Sequence, residues 1–134
     1  MVENTKTKTV IDASAILSIL FTDEKTPQFL KIHITQFSQG RLKLLAPIIL
    51  KYEVANSIKS AVLQKRITEN IAIKLLEKFL LLPISYPKKI DYRLTLSLAI
   101  KHKLSVYDAS YLQLAKSKRY PLLTLDKNLK RLAS

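Results

Sequence analysis

Four carboxylates carry the most informative chemistry in this sequence, because each lies beside an apolar run or within a helical pattern of a strongly basic chain. They are Asp12, Glu53, Asp108 and Asp126. No Lys or Arg lies within two residues of Asp12 or Asp108. An ionised carboxylate near a core is costly unless it is paired, hydrogen-bonded or bound to a cation, and converging acids repel one another. The leading hypothesis is therefore a divalent metal site built from oxygen ligands.

Composition limits the alternatives. At 134 residues, with 48% hydrophobic content and one Gly, the chain is expected to form one compact domain over 1–134. The absence of Cys excludes disulfides and thiolate metal sites. Any metal must then be held by oxygen, or by His33 and His102, which are not at ligand spacing and are expected on helix surfaces.

The formal net charge of +13 concerns partners rather than fold. Nucleic acid is the favoured partner, because Lys and Arg neutralise phosphates in a sequence-independent way. A merely soluble, Lys-rich protein is the alternative. The apolar run Ile71–Ile84 contains three charged residues and is too short to span a bilayer, and no signal peptide is recognisable. A cytoplasmic protein is expected.

Hydrophobic periodicity and turn signals predict strands alternating with helices. The predicted strands are Thr7–Ile11, Leu42–Ala46, Ile84–Tyr86 between two prolines, a very short Leu104–Tyr107, and Leu122–Leu125. The predicted helices are Ala13–Phe21, Thr26-Pro27 to Gly40, Pro47 to about Arg66, Thr68 to about Leu82, Asp91–His102, Asp108 to about Lys118, and a final turn Asn128–Leu132. This alternation predicts an α/β fold with a mainly parallel sheet covered on both faces. Ligands bind beyond the carboxyl ends of such strands, where the three Asp residues are expected.

Glu53 lies instead within a predicted helix. The helical wheel places the apolar stripe on other positions, including Leu50, Val54 and Ile58. A surface Glu on a helix this basic would be expected to meet a Lys at i+3 or i+4, but Glu53 meets Asn56 and Ser57. The helix therefore keeps cations away from this carboxylate.

Each acid also has a purely structural interpretation. Asp12 and Asp108 precede predicted helices and could be N-caps, and Asp126 could form an Asx-turn. Other chemistries find little support, since there is no glycine-rich phosphate loop, no Cys nucleophile, and no serine flanked by Gly.

Four windows around these acids resemble the motifs of a known family, the PIN-domain ribonucleases, and most closely its VapC-type toxins of prokaryotic toxin-antitoxin pairs. They occur in family order, with separations of 41, 55 and 18 residues between successive acids. The windows are Val10-Ile11-Asp12-Ala13-Ser14-Ala15, Tyr52-Glu53-Val54-Ala55-Asn56, Tyr107-Asp108-Ala109-Ser110-Tyr111-Leu112-Gln113-Leu114-Ala115 and Leu123-Thr124-Leu125-Asp126-Lys127-Asn128-Leu129.

The resemblance implies a three-layer α/β/α PIN-like domain that cleaves RNA with Mg²⁺ or Mn²⁺. The metal ligands and catalytic residues it implies are Asp12, Glu53, Asp108 and Asp126, supported by Ser14, Asn56 and Thr124. It also implies an antitoxin partner docked on the first helices, with Leu17, Leu20 and Phe21 partly exposed. Many relatives continue into a further strand where this chain stops at Ser134, so the sheet edge is expected to be reduced or completed by a second copy in a homodimer.

Three other classes remain open. A receiver-type signalling domain shares the length and the strand-end Asp residues, but the charge and the Glu53 helix fit it poorly. A catalytically inactive RNA-binding or partner-binding module would not need all four acids. A housekeeping RNA-processing nuclease would use the same chemistry on another target.

Overall fold

The computed structural model describes residues 7–21 and 26–134. Within this part of the chain the structure contains three strands and seven helices. The strands are β1 (Thr7–Ile11), β2 (Leu42–Leu45) and β3 (Leu122–Leu123). The helices are α1 (Ala13–Leu20), α2 (Gln28–Ser38), α3 (Ile49–Leu63), α4 (Glu69–Leu80), α5 (Tyr92–His102), α6 (Val106–Lys118) and α7 (Lys127–Ala133).

The three strands form one parallel sheet in the order β2-β1-β3. The central strand β1 ends at Ile11, which lies opposite Leu123 of β3. The predicted strand Ile84–Tyr86 is reduced to a single parallel bridge between Ser85 and Leu45. Prolines precede and follow that segment, and their missing N–H groups prevent a longer ladder.

The predicted strand Leu104–Tyr107 is wrong. Helix α6 begins at Val106, and the hydroxyl of its N-cap Ser105 accepts a hydrogen bond from the N–H of Asp108 at 3.0 Å. Val106 and Tyr107 resemble strand residues in type, but both are largely exposed in the first helical turn. The cap spacing outweighs the β propensity of two residues, since sheet propensity depends on burial and neighbours. Asp108 therefore lies in the first turn of a helix, not at the end of a strand.

Helix ends otherwise follow their signals closely. Thr68 caps α4 and Asp91 caps α5 through side-chain oxygens, and Gly40 follows the end of α2 with a φ of 73°. The predicted N-cap Thr26 is wrong by one residue, because Pro27 occupies the cap position of α2.

The helix that carries Glu53 is anchored by its apolar stripe. Leu50, Val54 and Ile58 are buried within the main core, and α3 packs against α1 and α4. This burial fixes the rotation of α3 about its axis and turns the half-buried Glu53 away from bulk solvent. No helix in the described part of the chain is long and apolar enough to cross a membrane.

Candidate functional site

Asp12 follows β1 directly and is the N-cap of α1. Its side chain is only 5% exposed, yet both carboxylate oxygens are hydrogen-bonded. Oδ1 accepts from the hydroxyl of Ser14 at 2.7 Å and from the N–H of Ala15 at 3.1 Å. Oδ2 accepts from the hydroxyl of Thr124 at 2.5 Å. Three donors therefore hold this buried carboxylate in one orientation.

Thr124 and Ser14 connect the segment after β3 to the segment after β1. The buried Thr124 hydroxyl accepts a hydrogen bond from the N–H of Asp126 at 2.9 Å while donating to Asp12. The Ser14 hydroxyl likewise accepts from the N–H of Leu125 at 2.9 Å. Each hydroxyl thus links Asp12 to a backbone group near Asp126, and this network fixes the relative position of the two acidic segments.

Glu53 is held by a different element. Its Oε1 accepts a hydrogen bond from the phenolic hydroxyl of Tyr111 at 2.5 Å, although the two residues are 58 positions apart in sequence. Tyr111 is 1% exposed and lies on α6, three residues after Asp108. Helix α6 therefore contributes a carboxylate and also the donor that orients the Glu of α3.

Asp108 and Asp126 accept fewer hydrogen bonds than Asp12 does. Asp108 is half-buried in the first turn of α6 beside Ser105. Asp126 is exposed and caps α7, with Oδ1 accepting from the N–H groups of Asn128 at 2.9 Å and Leu129 at 3.0 Å. Its Oδ2 makes no hydrogen bond to any residue that the structure describes.

The pKa values of Asp12, Glu53 and Asp108 are each raised in part by other acids of the cluster. Burial raises the pKa of the Asp12 carboxyl against the lowering effect of its three donors, and the charge of Asp126 raises it further. Burial also raises the pKa of Glu53; the bond from Tyr111 opposes this, whereas the charges of Asp108 and Asp12 add to it.

Asp108 behaves in the same way. Burial and then the charge of Asp126 raise its pKa, and the hydrogen bond with Ser105 opposes them. Among the residues that the structure describes, the charges that act on the pKa values of Asp12, Glu53 and Asp108 are those of other acids of the cluster. Like charges close together disfavour ionisation, so a divalent cation among these acids would stabilise their ionised forms.

The donor chemistry of the cluster fits a hard divalent cation, because all the donors are carboxylate or hydroxyl oxygens. Among residues 7–21 and 26–134, however, no group of three or more acidic or His side chains is arranged so that it could hold a metal ion. The predicted acids thus share one electrostatic neighbourhood without forming a coordination shell.

A groove of about 510 Å³ adjoins the cluster. Its lining includes Ser14, which binds Asp12, and the cationic side chain of Arg66. The guanidinium of Arg66 lies 5.4 Å from the centre of the Phe21 ring, a cation–π distance that restrains its position. The groove therefore joins the acidic site to a positive charge suited to a phosphate.

Some residues singled out in the sequence have other surroundings. Leu20 is 7% exposed, so the expectation that it is partly exposed for a partner is wrong; Leu17 and Phe21 are half-buried and line the groove. Asn56 is exposed and makes no side-chain hydrogen bond within the described residues. Tyr111 was missed, although its position at i+3 from Asp108 on α6 places it on a similar side of the helix.

Comparison with known proteins identifies the fold and the family. The chain matches the PIN domain family over residues 9–134. It is 33% identical over 127 residues to Ribonuclease VapC3 of Pyrobaculum aerophilum, covering 91% of this chain and 92% of that protein. Its fold is similar to the crystal structure of PAE2754 from Pyrobaculum aerophilum, with a TM-score of 0.73 and 22% identity over 96% of this chain and 87% of the other. The three-layer α/β/α PIN-like fold and the VapC-type resemblance expected from the four motifs are confirmed.

Proposed function

Because this chain belongs to the PIN domain family, we propose that it is a metal-dependent endoribonuclease that hydrolyses RNA phosphodiester bonds. The observation that carries the proposal is the grouping of four acids in which negative neighbours help to raise the pKa values of Asp12, Glu53 and Asp108. Such a set is unfavourable for the fold alone and becomes favourable when a divalent cation binds.

Asp12, Glu53, Asp108 and Asp126 would hold Mg²⁺ or Mn²⁺. When bound, the ion would supply a water of lowered pKa for attack on phosphorus and would neutralise charge on the reacting phosphate. Oδ2 of Asp126 makes no hydrogen bond within the described residues, and Glu53 and Asp108 are only half-buried, so these three can adjust to a cation. Asp12 offers a fixed carboxylate against which they can converge.

The chain's own residues would also position the substrate. Arg66 can bind a phosphate of an RNA strand that lies in the groove beside Ser14, since its guanidinium is already restrained over Phe21. The buried hydroxyls of Ser14 and Thr124 maintain the orientation of Asp12 during this binding. The overall positive charge would draw RNA toward the molecule from solution.

The similarity to Ribonuclease VapC3 supports a role as the toxin of a cytoplasmic toxin-antitoxin pair. A cognate antitoxin would contact the groove through Leu17 and Phe21, and a homodimer is the proposed assembly of the nuclease itself. The test is co-expression with the product of the neighbouring gene, followed by copurification and an RNA cleavage assay. Cleavage that a copurifying neighbour leaves unchanged would exclude that neighbour as the antitoxin.

The nuclease activity is tested with purified protein and single-stranded RNA. Cleavage should require Mn²⁺ or Mg²⁺, stop with EDTA, and disappear in Asp108→Asn. The matched control is Glu77→Gln, which neutralises an exposed acid on α4 outside the site and should cleave as wild type does. Cleavage by Asp108→Asn at the wild-type rate would assign the activity to another site or to a contaminating nuclease.

A further inference from the structure

A second cavity, away from the four carboxylates, has the composition of an RNA contact surface. It has a volume of about 610 Å³ and lies between the start of α5 and the C-terminal half of α6. We refer to it as the α5–α6 cavity. The residues that matter for its chemistry are Lys89, Tyr92, Arg93, Gln113, Ser117 and Lys118.

The charge of the α5–α6 cavity is positive. Lys89, Arg93 and Lys118 line it, and the one acid in the lining is Asp91. That carboxylate is already used as the N-cap of α5, where it accepts a hydrogen bond from the N–H of Leu94 at 2.9 Å. Three cations on one concave surface match the spaced phosphates of a nucleic acid strand.

Tyr92 lines the α5–α6 cavity together with these three cationic residues. Tyr92 is the first residue of α5 and is 71% exposed. A large apolar ring so exposed gains nothing from the core, whereas it offers a face on which an unpaired base can stack. Arg93, the next residue, can pair with the adjoining phosphate. The combination of stacking platform and cations is typical of single-strand binding.

Gln113 gives the cavity a polar group that can read a base. Its side chain is 5% exposed, and its amide nitrogen donates to the hydroxyl of Ser117 at 2.8 Å. The amide oxygen accepts no hydrogen bond from any residue that the structure describes. Gln113 lines the cavity, and its amide oxygen is the acceptor that it can offer to the amino group of a base.

The α5–α6 cavity lies further along α6 than the acidic site. Asp108 is in the first turn of α6, and the lining residues Gln113 and Ser117 are five and nine residues later, which corresponds to about 8 and 14 Å along the axis at about 1.5 Å per residue. A strand that reaches both places therefore contacts the α5–α6 cavity through nucleotides other than the one at the reacting phosphate.

We propose that the α5–α6 cavity is an accessory binding site for a single-stranded RNA segment that flanks the cleaved bond. Lys89, Arg93 and Lys118 contact phosphates, Tyr92 stacks on a base, and Gln113 accepts a hydrogen bond from a base. The inference rests on the proposed function for the identity of the polymer, and its geometry is independent of the metal site.

The test uses a cleavage-inactive Asp108→Asn background and a fluorescent single-stranded RNA of about 12 nucleotides, a length that reaches both places. In that background, Arg93→Gln with Lys118→Gln should weaken binding at least about tenfold and reduce the slope of log affinity against log salt by about 1.4. The matched control, Lys74→Gln with Lys78→Gln on the exposed side of α4, removes the same charge elsewhere. It should weaken binding less than about twofold, because only long-range attraction is lost.

Tyr92→Ala should weaken binding by on the order of tenfold without changing charge. Equal weakening by the two double variants would show that net charge alone binds RNA. Unchanged binding in the cavity variant would show that the α5–α6 cavity does not contact RNA. Either result overturns the proposal. With catalytically competent protein, the cavity variant should raise KM for the long RNA and leave kcat unchanged. RNA that binds through the cavity but is never cleaved with Mn²⁺ would reject the nuclease and retain the accessory site, whereas cleavage with unchanged KM would do the reverse.

Discussion

The two halves of the acidic site differ in how firmly their carboxylates are held. Asp12, which we call the strand half, is buried and receives three hydrogen bonds from the segments after β1 and β3. Glu53 and Asp108, the helix half, are half-buried, and the side chain of Glu53 accepts a single bond, from Tyr111. The strand half is preorganised, whereas the helix half can move.

This difference has a physical origin. A buried carboxylate must be saturated with donors because desolvation penalises its charge, and parallel strands with their following turns supply donors at fixed positions. A half-exposed carboxylate on a helix is solvated instead and keeps its rotamer freedom. A cation site that combines a buried, hydrogen-bonded carboxylate with half-exposed carboxylates has one fixed ligand and others whose side chains can move to contact the ion.

The largest predicted effect is on activity. Asp12→Asn and Asp108→Asn should each reduce RNA cleavage at least about 1000-fold, which corresponds to about 4 kcal/mol of barrier. The two variants should differ in stability. In Asp12→Asn an NH₂ group replaces one carboxylate oxygen, so a donor faces either the Thr124 hydroxyl, or the Ser14 hydroxyl together with the N–H of Ala15. Urea unfolding in EDTA should show Asp12→Asn less stable than Asp108→Asn by about 1–3 kcal/mol. Equal stabilities would mean that the two halves are held alike.

The next effect compares the supporting hydroxyls. Thr124→Val removes a buried hydroxyl that serves Asp12 and the N–H of Asp126, so it should cost about 1–3 kcal/mol of unfolding free energy. Tyr111→Phe removes one hydrogen bond to Glu53, and water can replace this donor because Glu53 is half-buried. The variant should therefore lose about 1 kcal/mol or less of unfolding free energy. Both are measured by chemical denaturation. A larger loss in Tyr111→Phe would reverse the assignment of the rigid half.

Local sequence signals were sufficient for the strand half. The apolar run before Asp12 and the helix after it predict a strand end and a cap, and both are present. The stripe of α3 was also predictable, since Leu50, Val54 and Ile58 repeat at helical spacing and are buried.

The helix half was predicted less well. The supposed strand Leu104–Tyr107 placed Asp108 at a strand end, because two β-type residues masked the cap signal of Ser105. The partner of Glu53 was sought within its own helix, at Asn56, whereas it is Tyr111 of α6. Contacts between elements distant in sequence depend on tertiary packing, which no local pattern encodes.

A smaller effect concerns pH. The folded-state pKa values of Asp12, Glu53 and Asp108 are raised above the ordinary 3.8 and 4.5, so the folded state favours the protonated forms. Their contribution to stability is present below about pH 4 and is lost as pH rises through the raised values. Metal-free Asp108→Asn should therefore gain stability relative to wild type as pH increases above 4, by less than about 1 kcal/mol because solvent screens a half-exposed carboxylate. Urea unfolding from pH 4 to 7 in EDTA measures this, and a relative loss with rising pH would contradict it.

The smallest predicted change is in the metal-free stability of Asp126→Asn. The Asn side-chain oxygen can still accept from the N–H groups of Asn128 and Leu129, so the cap of α7 is retained. Removing the charge relieves Asp12 and Asp108, while it also loses a favourable interaction with the helix dipole. In EDTA the variant should therefore be at least as stable as wild type, within about 0.5 kcal/mol.

Saturating Mn²⁺ distinguishes a cap from a metal ligand at Asp126, because a metal ion that binds to the native state stabilises it by mass action. In thermal unfolding, wild type and the control Glu77→Gln should gain markedly more from Mn²⁺ than Asp126→Asn does. Equal gains in all three proteins would leave Asp126 as a cap alone and restrict the metal site to the other three acids.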